Sequence, residues 1–168
     1  IAKPVFSGIS LLNYYTDALD LVLQKDTTAV TARLEKIPFA HIPQSLEGTT
    51  ESFATSIISI SHLVITIDED LVRLVALRGQ FRLDEAIKLA DQISDNLSRA
   101  KSELIQIEQA AQTTGTVLRV FSAPETSNLR KSYNEVLDRI DKIRKMLDLY
   151  EELLKATGLT PEELLKAT

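Results

Sequence analysis

The sequence predicts an all-α protein: an antiparallel bundle of three long helices, with one or two shorter helices at the N-terminal end. Three observations carry that expectation. Phe53, Ile57, Ile60, Val64, Ile67, Leu71 and Leu74 recur at alternating spacings of four and three, and Leu129, Tyr133, Val136, Ile140, Ile143, Leu147, Tyr150 and Leu154 do the same. A seam of that period belongs to helices packed close to parallel or antiparallel. Between the two seams, Leu83, Ile87, Ala90, Ile93, Leu97, Ala100, Leu104, Ile107 and Ala111 follow helical spacing with one early slip. Ile58, Leu63, Val72, Leu89, Ile105 and Leu137 flank these seams, giving a stripe wide enough for a bundle and wider than a lone two-stranded coil needs.

The punctuation supports the elements in order. After Pro4 and Gly8, a helical face is formed by Ile9, Leu12, Tyr15, Leu19 and Val22 or Leu23. Asp26 then suits the N-cap of a shorter helix containing Val30, Leu34 and Ile37. Pro38 and Pro43 enclose a crossing that cannot continue a helix. Gly48, Thr49 and Thr50 are expected to open the first long helix. Residues 58–61 and 64–67 are rich in β-branched side chains, yet the heptad passes through them without a change of register, which argues for helix. Gly79 is expected to break or bend the chain before Phe81, and Asp84 and Glu85 suit the start of the next helix. Gly115 is expected to end that helix, and Ser122 with Pro124 to open the last. Short connections make successive helices antiparallel. On the exposed faces Asp84–Lys88, Glu135–Arg139, Asp138–Lys142, Asp141–Lys145 and Glu151–Lys155 have the favoured i,i+4 polarity.

The C-terminal end repeats itself. EELLKAT occupies residues 151–157 and again 162–168, joined by GLTP. Gly158 suits a helix C′ position, Thr160 an N-cap, Pro161 the first helical position and Glu163 the partner in a capping box. The expected division is a helical bundle over residues 1–157 and a short capped helix or linker over 158–168. Because the chain starts at Ile1 without a Met, it reads as a fragment whose C-terminal element continues in a longer parent.

Composition narrows the function classes. With no Cys, the chain holds no disulfide scaffold, cysteine zinc site, iron–sulfur cluster or catalytic thiol. A net charge of −5 and a pI near 5.1 have the wrong sign for a protein that neutralises phosphates, so no nucleic-acid partner is expected. No apolar run is long enough to span a membrane. Neither His41 nor His62 stands three residues after a Glu, as a di-iron bundle requires, and no P-loop, dinucleotide or nucleophile-elbow pattern occurs. His62 is expected at the edge of the core with a hydrogen bond, and His41 at the surface. Asp68, Glu69 and Asp70 diverge around one helix instead of converging on a cation. Tyr14 and Tyr15 suit packing against the bundle better than ligand stacking. Asn96-Leu97-Ser98 is a glycosylation sequon flanking the core. No catalytic, cofactor-binding or metal-binding residue is assigned, and no cofactor is expected.

The stretch FRLDEAIKLADQISDNLSRA over residues 81–100, with SIISISHLVITIDEDLVRL before it, resembles the long helical regions of membrane-attached surface proteins of archaea and some bacteria. That resemblance rests on helical texture and transfers no active-site residue. It implies an extracellular or cell-surface location on a membrane-attached parent, although the composition suits the cytoplasm equally. The leading expectation is a non-enzymatic structural or interaction module, a stiff extracytoplasmic spacer or stalk of a larger surface protein. Protein partners or self-association are open to it through exposed helix faces. The alternative is a sensor ectodomain that binds a small ligand between helices, with Arg73, Arg78, Arg82 and Tyr14 or Tyr15 as candidate contacts.

Overall fold

The computed structural model describes residues 6–121 and 126–160. Within them lie five α-helices and no strand: α1 (Gly8–Leu23), α2 (Thr27–Glu35), α3 (Gln44–Gly79), α4 (Leu83–Phe121) and α5 (Thr126–Ala156). A single 3-10 turn, Phe39–His41, lies in the proline-bounded crossing.

Each short helix starts on a side-chain cap. The Ser7 hydroxyl accepts from the Ser10 amide at 3.2 Å, and the Asp26 carboxylate from the Ala29 amide at 3.0 Å. The first long helix begins at Gln44, directly after Pro43 and four residues before the glycine expected to open it. Pro43 sets the extended entry, and Gly48 is then carried inside the helix with open space where a Cβ would stand. The β-branched residues of α3 are helical throughout. The opening expected of Ser122 and Pro124, and the capped helix expected after Thr160, lie outside the described residues.

The helix ends correct two expectations about glycine. Gly79 is the last helical residue of α3, and the left-handed turn falls two positions later at Phe81, with φ 57°. There the Arg82 amide donates to the Leu77 carbonyl (3.0 Å) and the Phe81 amide to the Arg78 carbonyl (3.1 Å), the pattern of a Schellman end. The end of α1 is built alike around Lys25 at φ 60°, with Asp26 donating to Leu21 and Lys25 to Val22. Only α5 places a glycine, Gly158 at φ 71°, in this position. Gly115 does not end α4, which runs on to Phe121. A Cβ there would stand 2.6 Å from Cε1 of Tyr133, so this glycine lets the tyrosine ring of α5 lie against the α4 backbone.

Helices α3 and α4, joined by the short connection 80–82, pack against each other, α5 packs against α4 and α1, and α2 touches α1 and α3. The expected α3 seam is buried from Phe53 to Leu74, as are Leu129, Val136, Ile140, Ile143, Leu147, Tyr150 and Leu154 of α5. Ion pairs Lys101–Glu151 and Arg144–Glu108 tie α5 to α4, while Arg139 reaches Asp20 of α1 at 3.0 Å. The i,i+4 pairs Asp138–Lys142, Asp141–Lys145 and Glu151–Lys155 form. Arg139 instead leaves Glu135 for Asp20 and Asp138. Four residues expected in the apolar stripe are turned out: Val72, Leu83, Ile105 and Leu137. For Val72 the cause is topological. Ser61, Asp68 and Val72 share one face of α3; Ser61 bonds Thr27 and Asp68 bonds Lys25, both at the turn between α1 and α2, and Val72 lies one turn beyond it.

Candidate functional site

Three places in the bundle concentrate polar chemistry. The first is buried where α1 crosses α3 and α4. The Tyr15 ring stacks on Phe53 with centroids 3.6 Å apart and planes 10° from parallel. Its hydroxyl donates to Thr50 Oγ1 at 3.3 Å and lies 3.3 Å from Thr114 Oγ1, whose own hydroxyl donates to the Ala110 carbonyl at 2.8 Å. Burial pushes the phenol above its usual range, and the two threonine contacts oppose that shift without cancelling it. Every member is a weak acid or a neutral hydroxyl, so the cluster holds three helices together and offers no nucleophile with a base. The Thr16 hydroxyl nearby is buried without a hydrogen-bond partner.

The second is the junction of α1, α3 and α5. Asp68 accepts from Lys25 Nζ at 2.9 Å and from the Tyr150 hydroxyl at 3.2 Å, while Lys25 Nζ sits 5.9 Å from the Tyr150 ring centre. Asp68 holds the Lys25 ammonium above the usual lysine range; burial, followed by the Asp68 charge, raises Tyr150. Asp68 therefore fastens helices, and among the described residues no group of three or more His, Cys, Asp or Glu is placed to hold a metal ion.

The third is a concavity of about 360 Å³ among α1, α4 and α5, lined by Leu12, Gly115, Arg119, Arg130, Tyr133 and Asn134, with Leu129 in its wall. Neither arginine forms an ion pair among the described residues. Here helices from three parts of the chain bring apolar and cationic groups together. A larger hollow of about 440 Å³ is lined by α5 residues alone.

The residues singled out from sequence are scattered. Tyr15 is a core residue, whereas Tyr14 faces the Arg33 guanidinium at 4.2 Å, itself held by Asp17 at 2.6 Å. Arg73, Arg78 and Arg82 are exposed at the far end of α3, and Arg82 pairs with Glu85 at 2.5 Å. From Thr50, beside Tyr15, to Arg78 is about 40 Å along the helix, so the arginines and the tyrosine pair do not share a site. His62 is exposed on α3 and its side chain makes no hydrogen bond among the described residues, in contrast to the core-edge position expected of it. His41 is exposed in the 3-10 turn, and Asn96 is half-buried on α4. Arg119 and Arg130 were not legible as a pair, because only the α4–α5 crossing brings them to one hollow.

No protein family matches the chain, and no solved structure matches it. Two curated proteins do, each described as a zinc finger CCCH-type with G patch domain-containing protein, one from Drosophila persimilis and one from Drosophila pseudoobscura pseudoobscura. Each is 29% identical over 96 residues, 57% of this chain, and the match spans only 18% of the relative's length. Lacking cysteine, this sequence does not contain the CCCH finger those proteins are named for.

Proposed function

We propose that this chain is a non-enzymatic structural module, a stiff helical spacer built as an antiparallel bundle of three long helices with two shorter ones at its N-terminal end. The observation that supports this reading best is the unbroken α3–α4 hairpin. Its helices of 36 and 39 residues carry a continuous aliphatic interior, and the buried polar groups along it fasten helices to one another. At 1.5 Å per residue the hairpin is about 55 Å long. The match to about a fifth of much longer proteins suits a part that works between other segments. Absence of cysteine makes the test direct: spin labels on cysteines introduced at the exposed positions Glu51 and Arg78 lie about 40 Å apart along α3. A narrow distance distribution is expected from pulsed dipolar spectroscopy, and a broad one would overturn stiffness.

A second reading, a small-ligand sensor, draws on the α1–α4–α5 concavity instead of the arginines at the tip of the hairpin. Two guanidiniums without an ion pair among the described residues, a phenol and an amide over an apolar floor suit a small anion bearing phosphate or carboxylate groups. A saturable rise in Tm with phosphate or a dicarboxylate, abolished in Arg119→Ala/Arg130→Ala, supports that reading; no rise with either anion removes it.

A further inference from the structure

We infer that the outer end of the α3–α4 hairpin is a docking site for a short helix, and that its occupant is the chain's own second EELLKAT copy, residues 162–168. This goes beyond the spacer reading and does not depend on it. The register of α5 on α4 supplies the first observation. Glu151 pairs with Lys101 and Arg144 with Glu108, seven residues apart on each helix and in opposite directions. Continued in that antiparallel register, Ala156, the last residue of α5, stands opposite about residue 96 of α4. Lys25, at the turn after α1, meets Asp68, and from there α2 runs back to where Arg33 holds Asp17. By this register α1, α2 and α5 all stop short of the outer stretch of the hairpin. Yet Leu74 and Ala86 there are fully buried, Ala90 is 1% exposed and Leu89 5%. A fully buried side chain touches roughly 6–12 other residues, more than a bare pair of helices supplies, so a third element covers this stretch.

The path of the chain identifies the occupant. Of the segments outside the described residues, 1–5 precede α1, whose Gly8 lies against Leu118, and 122–125 join α4 to α5, so both belong to the opposite end of the hairpin. Residues 161–168 instead follow Thr160, which lines a hollow of about 280 Å³ with Ser94 and Leu97 of α4 and Leu154 of α5. Leu159 is already in the core at that point. Along α4 the positions that meet α5, Glu108 and Lys101, continue at heptad spacing as Ser94 and Ile87, with buried Ala90 between them and Ile87 half-buried. From Ser94 to Ile87 is about 10 Å, and eight residues of helix span about 12 Å. Thr160, Pro161 and Glu163 suit a helix start there. The first copy supplies the orientation: Leu154 is buried, whereas Leu153 is 48% exposed. By the repeat, Leu165 takes the inward place and Leu164 the outward one. Apolar contact carries the docking, because Ser94 and Ile87 offer no counterpart to the Lys101 that holds Glu151.

Two measurements on the whole 168-residue chain test this. Nitroxides on Asp91→Cys, exposed on α4, and on Lys166→Cys are expected in pulsed dipolar spectroscopy to give one narrow distance that does not change with protein concentration. It should be no more than roughly 25 Å, since packed helices lie roughly 8–10 Å apart and the two label arms add the rest. Amide exchange within residues 71–79 and 83–90 is expected to quicken at least about tenfold in Leu165→Asp and to stay unchanged in Leu164→Asp. Residues 101–107 should remain slow in both, which shows that the bundle is folded. A broad or longer distance, a distance that appears only between singly labelled chains mixed together, or leucine variants that act alike in folded protein would each overturn the inference.

Discussion

Replacing Phe81 with glycine should stabilise the fold. The left-handed backbone costs a side-chain-bearing residue roughly 1–2 kcal/mol, which glycine recovers. Against this, glycine gives the unfolded chain extra freedom worth about 0.5–1 kcal/mol. Full burial of a phenylalanine is worth roughly 1.5–3 kcal/mol, so a ring 85% exposed forfeits about 0.3 kcal/mol when removed. The net expectation is a gain of about 0.5 kcal/mol, read as a higher urea midpoint at unchanged m. Lys25→Gly is the control, because the same backbone conformation there carries a side chain that bonds Asp68. The half-exposed ion pair contributes roughly 0–1 kcal/mol, so its loss cancels the backbone gain and that variant should be neutral or less stable. If Phe81→Gly loses more than about 0.5 kcal/mol, the ring has a partner within the chain and the strain reasoning fails.

Three further outcomes follow from the packing. Gly115→Ala should cost about 1–3 kcal/mol in chemical denaturation, because the new Cβ meets the Tyr133 ring at 2.6 Å, whereas Gly48→Ala, with open space, should gain up to about 1 kcal/mol. Tyr15→Phe should cost about 0.5–1.5 kcal/mol for its hydroxyl contacts; because the folded phenol is raised, wild-type stability is fully present below pH 10 and falls above it, a fall that the variant should show less. Amide exchange along α3 should be slowest around Phe53–Val64 and faster beyond Val72, where the outward-facing residues are exposed.

What the sequence made legible is whatever repeats along a single helix. The seams from Phe53 and Leu129 could be read because burial on one face imposes a period, and Asp26 because a cap acts within one turn. Glycine misled where its role lies in another helix. Gly115 reads as a stop, yet its reason is a tyrosine 18 positions later, and the left-handed positions that do end α1 and α3 hold Lys25 and Phe81. Polar contacts were illegible for a related reason: Tyr15 finds Thr114 across 99 positions, and Arg139 passes over its helical neighbour Glu135 for Asp20, 119 positions away. Val72 and Leu83 satisfy the pattern and are still exposed, because periodicity states which side of a helix is apolar and not whether another helix reaches that far.

The two ends of the bundle therefore differ in kind. At one end α1 closes over α3 and α4, stacks Tyr15 on Phe53 and spends the buried hydroxyls on cross-helix contacts. Beyond Asp68 the hairpin leaves that cover and carries valines and a strained phenylalanine into solvent.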